Sequence, residues 1–177
     1  MSRQWLIVIG IIAALALGTW KLVISAPPNI QLGVVAPDFT ATDLATGKPV
    51  SLYQKYHGQV TLVNIWATWC APCREEIPAM DSLYIALKDK GFHIAGVSVD
   101  EGNDDVVKQF AKEYHISFDL FHDQPGKIKS IYQTTGVPES FLIDKRGRIV
   151  RMVPRAHPWN SVESRHLVET LLAETPS

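Results

Sequence analysis

The chain has 177 residues, with 17 Lys and Arg against 18 Asp and Glu, so its formal net charge is −1. This near-neutral balance argues against a nucleic-acid-binding protein, which needs a basic surplus to displace counterions. The length suits one domain with its own hydrophobic core and is too short for two large domains.

The apolar stretch over residues 5–24 predicts a transmembrane helix. Twenty residues at about 1.5 Å rise each would span roughly the 30 Å hydrocarbon core of a bilayer. Trp5 and Trp20 lie near its two ends, where indole rings favour the headgroup region. We therefore expect residues 1–26 to anchor the protein in the lipid bilayer of the cytoplasmic membrane, with the N-terminus in the cytoplasm, and residues 27–35 to form a linker. A cleaved signal peptide is the alternative interpretation of residues 1–26.

The segment after the linker leads into a strand and then into the cysteines. Between residues 36 and 59 we expect an extended entry with a turn at Gly47, and Pro49 disfavours a central strand there. Residues 60–66, VTLVNIW, form a β-rich run that is typical of a buried strand. The chain then reaches Cys70 at the start of a predicted helix.

That predicted helix and the strand after it form a βαβ unit. The helix ends at Gly91, and residues 93–99 form the next apolar, β-branched strand. The apolar side chains of the helix recur at helical spacing: Ile77, Met80, Leu83, Tyr84 and Leu87.

The second half of the chain continues the alternation and implies an α/β domain with a mixed sheet. Residues 103–105, Asn-Asp-Asp, cap a helix that extends to Tyr114, and Asn160 and Glu163 stand at capping-box spacing. The remaining predicted elements are a strand at 119–121, a short helix at 127–132, a hairpin of strands 140–143 and 149–153, and a last helix over 160–173.

The two cysteines of the chain, Cys70 and Cys73, indicate redox chemistry. Two thiols three residues apart at a helix start can close a disulfide with little backbone movement. The exposed N–H groups and the helix dipole stabilise a Cys70 thiolate, which is the species that attacks another disulfide. Pro72 suits the first turn, where no intrahelical donor is lost.

Other uses of this cysteine pair agree less well with the sequence. A structural zinc site needs four ligands and covalent haem attachment needs a His where Arg74 stands, while a structural disulfide would gain little from so short a loop. Two alternatives stay open: a copper-site assembly factor that binds Cu(I) through both thiolates, and a peroxiredoxin-like peroxidase that requires Cys70 but tolerates loss of Cys73. The six His show no ligand spacing, so we expect no metal and no cofactor.

Two motifs resemble the thioredoxin superfamily: residues 66–78, WATWCAPCREEIP, and residues 136–144, GVPESFLID. Within it, the chain is most similar to the membrane-anchored, extracytoplasmic TlpA/ResA/CcmG group, which is associated with cytochrome c maturation. The likeness covers roughly residues 35–172. It implies a thioredoxin-like domain over residues 36–177, with a mixed central sheet flanked by helices, an N-terminal extended extension and a central βα insertion.

The resemblance also implies roles for residues of both motifs. Cys70 would be the attacking thiol and Cys73 the resolving thiol. Pro138 would follow a cis peptide bond and face the disulfide, which leaves the backbone of Val137 free to pair with an extended substrate. Trp69, one of two Trp before the cysteines, would contact that substrate.

The acidic residues of the two motifs depart from ordinary thioredoxin. Asn64 stands where thioredoxin keeps a buried acid, and an amide cannot exchange a proton with Cys73. Glu76 and Glu139 match acids that the TlpA/ResA/CcmG group places near its disulfide, and Glu139 would also contact the substrate. We expect Glu76 to be the proton donor and acceptor for Cys73, the alternative being a solvated carboxylate in the first helical turn.

Together these features predict a thiol:disulfide oxidoreductase that reduces specific protein disulfides outside the cytoplasm. Carboxylates near the cysteines raise the thiol pKa, which makes a poor oxidant and a better reductant. The resemblance implies that the client disulfide is the haem-binding Cys pair of apocytochrome c. Because disulfides persist in that compartment, a membrane electron donor must re-reduce the pair.

Overall fold

A mixed sheet of seven strands carries the domain. The computed structural model describes residues 3–24 and 29–175. The strands are β1 (Thr40–Asp43), β2 (Lys48–Ser51), β3 (Val60–Trp66), β4 (Phe92–Ser98), β5 (Asp119–His122), β6 (Glu139–Ile143) and β7 (Ile149–Val153). They lie in the order β2-β1-β5-β4-β3-β6-β7.

Helices connect the strands in the alternation that the sequence predicts. They are α1 (Arg3–Ile24), α2 (Leu52–Tyr56), α3 (Ala71–Leu87), α4 (Asp104–Glu113), α5 (Lys127–Ile131) and α6 (Val162–Ala173), and a short 3-10 helix (Lys88–Lys90) extends α3. The mixed α/β architecture is therefore confirmed, and the short helix α2 was not predicted.

Strand β3 lies inside the sheet and is buried along its whole length, as its apolar run predicts. It pairs in parallel with β4, so the predicted βαβ unit is present, and antiparallel with β6 on its other edge. Strands β6 and β7 form the predicted hairpin.

Successive side chains of β3 point to opposite faces of the sheet, and they contribute to two hydrophobic clusters. Val63 and Ile65 belong to the cluster that includes both cysteines. Leu62 belongs to the second cluster, with Met80 of α3 and Val168 of α6.

One local feature agrees with the sequence prediction, and another differs from it. Residues 36–59 contain a hairpin of β1 and β2, in which the proline-containing strand β2 takes the edge position because proline lacks a donor for a central ladder. Helix α6 is capped by Ser161, whose hydroxyl accepts the Ser164 N–H at 3.2 Å, so the predicted cap at Asn160 is wrong by one residue.

The N-terminal part of the chain departs further from the prediction. Residues 3–24 form α1, but within the described residues no helix combines the length and the apolar character needed to cross a membrane. The structure therefore does not support the predicted transmembrane helix over residues 5–24.

The predicted linker over residues 27–35 is partly packed on the domain. Residues 25–28 lie outside the described part of the chain. Beyond them Ile30 is buried, and the N–H of Gly33 donates to the carbonyl of Ile149 at 2.8 Å. This segment therefore lies along the start of β7.

Candidate active site

The two cysteines stand where the chain leaves the sheet and begins helix α3. A turn over residues 67–70 is closed by the Cys70 N–H, which donates to the carbonyl of Ala67 at 3.2 Å. Cys70 caps α3, and its Sγ accepts the Cys73 N–H at 3.2 Å. The two side chains form a disulfide, with their Cα atoms 5.3 Å apart. The sequence prediction of a redox pair at a helix start therefore has the required geometry.

Two tryptophans near the disulfide occupy opposite environments. Trp69 is 65% exposed and stands on the surface directly before Cys70. Trp66 is 1% exposed, and its ring centroid lies 5.1 Å from that of Phe110. Trp66 is therefore a core residue, whereas Trp69 is free to contact another molecule.

Glu76 lies on the buried face of α3, one turn beyond Cys73. Its side chain is only 3% exposed, so the alternative of a solvated carboxylate is wrong. Glu76 Oε1 accepts a hydrogen bond from Asn64 Nδ2 at 2.8 Å, and Oε2 accepts the backbone N–H of His157 at 3.1 Å. Residues three apart on a helix lie on the same side of it, so Glu76 and the buried Cys73 share one side of α3.

The protonation of Glu76 follows from its surroundings. Burial raises its pKa to about 7, although the donors on Asn64 and His157 partly offset that rise. The Trp159 indole also favours the charged form of Glu76. Within the described residues, the indole N–H has no hydrogen-bond partner of normal geometry. A carboxyl with this pKa is present in both protonation states near neutral pH, which a proton donor and acceptor requires.

Asn64 connects Glu76 to the sheet. Its Nδ2 donates to Ser140 Oγ at 2.9 Å as well as to Glu76, and Asn64 pairs with Ser140 across β3 and β6. Asn64 cannot exchange a proton, as expected from its amide, but its contacts with Glu76 and Ser140 were not predicted. Nothing in the sequence near Asn64 or Glu76 identifies them as partners, because they meet only in the folded chain.

The second motif begins in the loop before β6 and continues through that strand. The peptide bond between Val137 and Pro138 is cis, as predicted. Val137 packs against the core cluster that contains both cysteines. An open groove is lined by Trp69, by Lys129 and by residues 134–137. Trp69 and Val137, two of the three residues predicted to contact the substrate, thus line one groove, whereas Glu139 does not line it.

Glu139 begins strand β6 and pairs with Ile65 of β3. It is 8% exposed, and burial raises its pKa. The structure thus places a second buried acid at the end of the sheet where the cysteines lie.

Two loops that the sequence analysis did not single out also reach the site. His157, in the loop between β7 and α6, contacts Glu76 through its backbone. Asp100, just after β4, accepts hydrogen bonds from Thr68 beside Trp69. Among residues 3–24 and 29–175, no group of three or more His, Cys, Asp or Glu could hold a metal ion.

Comparison with known proteins agrees with this geometry. The model of the AhpC/TSA family matches residues 32–152. A thiol-disulfide oxidoreductase ResA from Bacillus cereus is 38% identical over 129 residues, which cover 73% of each chain. The chain belongs to the AhpC/TSA family and is a TlpA/ResA/CcmG-like thiol-disulfide oxidoreductase.

Further relatives cover more of the chain. A ResA from Geobacillus thermodenitrificans is 31% identical over 153 residues, which cover 86% of each chain. A crystal structure of a putative thiol:disulfide interchange protein DsbE from Chlorobium tepidum has a TM-score of 0.73 and 30% identity, covering 82% of this chain and 100% of that one. The thioredoxin-like fold predicted from the two motifs is therefore confirmed.

Proposed function

We propose that this oxidoreductase reduces specific protein disulfides outside the cytoplasm, and that its clients include the haem-binding Cys pair of apocytochrome c. The observation that carries the proposal is the buried carboxyl of Glu76, one helical turn from Cys73, with a pKa of about 7. A proton acceptor at this position can activate the buried resolving thiol at neutral pH.

The reaction begins with the reduced enzyme. The Cys70 thiolate attacks one sulfur of the client disulfide, and the other client sulfur leaves as a thiolate and takes a proton. Glu76 then accepts the proton of the Cys73 thiol. The Cys73 thiolate attacks Cys70 Sγ, which forms the intramolecular disulfide and releases the client as a dithiol. Two electrons pass from the enzyme to the client.

The direction of transfer follows from the charges around the pair. A strong oxidant stabilises its thiolate, whereas nearby carboxylates destabilise it and raise the thiol pKa. Glu76 and Glu139 are both buried acids at this end of the sheet. The residues between the cysteines, Ala71 and Pro72, carry no charge. These features favour the reductant.

The groove beside the disulfide is the proposed client site. Trp69 offers an exposed aromatic surface, and Val137 offers backbone groups beside Pro138. An extended segment of a client can pair with that backbone as an added strand, which presents its disulfide to Cys70.

Each turnover leaves the enzyme oxidised, so a donor must return it to the dithiol form. Outside the cytoplasm the surroundings maintain disulfides, and the donor must therefore draw electrons through the membrane. Cell fractionation combined with thiol alkylation tests this part of the proposal: the enzyme should be found outside the cytoplasm and largely reduced.

Trapping of the mixed disulfide tests the proposal directly. In Cys73→Ala the resolving thiol is absent, so Cys70 should remain bound to its client and give an adduct on non-reducing gels. The matched control is Cys70→Ala, which should give no adduct. Adducts with c-type cytochromes support the client class, whereas adducts confined to other proteins, or none, overturn it.

A further inference from the structure

Thr68 lies in the turn just before Trp69 and Cys70, and side chains from outside the turn form hydrogen bonds with it. The Thr68 N–H donates to Asp100 Oδ2 at 2.9 Å, and its hydroxyl donates to Asp100 Oδ1 at 2.6 Å. Its carbonyl accepts a hydrogen bond from Arg74 Nε at 2.7 Å. Every polar group of this residue is therefore bonded to a side chain from another element.

Asp100 is itself fixed. It is 3% exposed, and its Oδ2 also accepts the Ser98 hydroxyl at 2.6 Å. Its carbonyl lies 2.9 Å from Nε2 of His122, whose Nδ1 lies 2.7 Å from Asp104. A buried carboxylate with three donors has little freedom to move, so it forms a rigid support for the turn.

Arg74 completes the support from the helix side. It lies one turn into α3, and its side chain reaches back past Cys70 to the Thr68 carbonyl. Its guanidinium carbon lies 6.0 Å from the centre of the Phe110 ring, within the range of a cation–π contact. The turn over residues 67–70 is thus clamped between the end of β4 and the start of α3.

We propose that Asp100, acting through Thr68, is a positioning residue for thiol–disulfide exchange. It holds the turn so that Cys70 Sγ stays at the N-terminus of α3, where it accepts the Cys73 N–H, and so that Trp69 stays on the surface beside the groove. The inference rests on the oxidoreductase activity of the cysteine pair and is independent of the client.

The sharpest test removes only the hydroxyl of Thr68. Thr68→Val keeps the shape and the charge of the site but loses the bond to Asp100 Oδ1, and Thr68→Ser restores that hydroxyl. The reduced proteins are alkylated with iodoacetamide across pH 5 to 9 and are reacted with oxidised glutathione. We expect Thr68→Val to raise the pKa of Cys70 and to slow both reactions at pH 7 by about fivefold, since the thiolate loses support at the helix N-terminus.

Four variants besides Thr68→Val separate positioning from general stability. Thr68→Ser should react within about twofold of the wild type, and so should Asp144→Asn, which alters a buried capping carboxylate at the far end of β6. Asp100→Asn should be slow, and combining it with Thr68→Val should slow the reaction no further, because both changes break one support.

The outcomes are distinct. A Thr68→Val protein that is folded, by circular dichroism, and matches the wild type in rate and pH profile overturns the positioning role. So does an equal loss of rate in Asp144→Asn. If the wild type reacts with glutathione but Cys73→Ala traps no cytochrome, the proposed client is wrong and the positioning role of Asp100 stands.

Discussion

Asn64 on strand β3 donates a hydrogen bond of 2.8 Å to Glu76 on helix α3, and Glu76 lies one helical turn from the buried thiol position of Cys73. Asn64 thus occupies the strand position at which thioredoxin has a buried acid, and its amide donates to an acid on α3, Glu76. One hydrogen bond from Asn64 and one from the His157 backbone offset only part of the cost of burying the carboxylate, so the pKa of Glu76 stays near 7.

Removing the amide should move the titration of Glu76. In Asn64→Ala the carboxylate loses a donor while it remains buried, so the pKa of Glu76 should rise above about 7. The Ser140 hydroxyl also loses its partner, and the two losses should lower the free energy of unfolding by about 1–3 kcal/mol. NMR titration of the Glu76 carboxyl carbon measures the shift, with Asn103→Ala, which alters the exposed cap of α4, as the control. An unchanged pKa would remove Asn64 from the proton-transfer network.

The dependence of stability on pH should report the same carboxyl. The pKa of Glu76 rises on folding from 4.5 to about 7, so the folded state binds more protons than the unfolded state between these values. Stability should therefore fall as pH increases from about 4.5 to 7, by roughly 3 kcal/mol in all, and change little above that range. Glu76→Gln should abolish this component. Urea denaturation of both proteins at pH 5 and pH 8 checks it, and parallel pH profiles would contradict the assigned burial effect.

Trp69 should matter for protein clients and not for stability. It is 65% exposed, so Trp69→Ala should change the free energy of unfolding by less than about 0.5 kcal/mol. Loss of its aromatic surface should slow reduction of a protein disulfide by about tenfold while leaving reduction of glutathione disulfide within about twofold. Val162→Ala, at an 86% exposed position on α6, is the control. Equal slowing with both substrates would place the effect of Trp69 on the cysteines and not on client binding.

Gly96 on β4 should tolerate no side chain. A Cβ at this position would lie 2.9 Å from side-chain carbons of both Leu120 and Phe118, which is too close for carbon atoms in contact. Gly96→Ala should therefore lower the free energy of unfolding by about 1–3 kcal/mol. Thermal unfolding measures the loss, with Gly136→Ala as the comparison, because a Cβ there meets nothing within 4 Å. A Gly96→Ala protein as stable as the wild type would show that the two strands separate at little cost.

Much of the fold could be predicted from patterns local to the sequence. The apolar run at 60–66 gives a fully buried strand, and the hairpin of β6 and β7 follows from a polar turn between two largely apolar runs. Helix α2 could not be predicted, because five residues carry too little periodicity to indicate a helix.

The site was predictable where a motif carries the chemistry and not where distant residues meet. The cysteine pair and the cis bond before Pro138 follow from two short motifs. The contacts of Glu76 with Asn64 and of Thr68 with Asp100 join residues 12 and 32 positions apart, and neither spacing is a recognisable signal.

The equilibrium reduction potential of the Cys70–Cys73 pair tests the central claim most directly. The exposed Trp69 beside the disulfide gives a fluorescence signal for equilibration in dithiothreitol buffers. If buried acids make the pair a reductant, the potential should lie near or below about −250 mV, close to thioredoxin. A potential near about −120 mV, typical of a strong oxidant, would contradict the account and make the protein a disulfide donor.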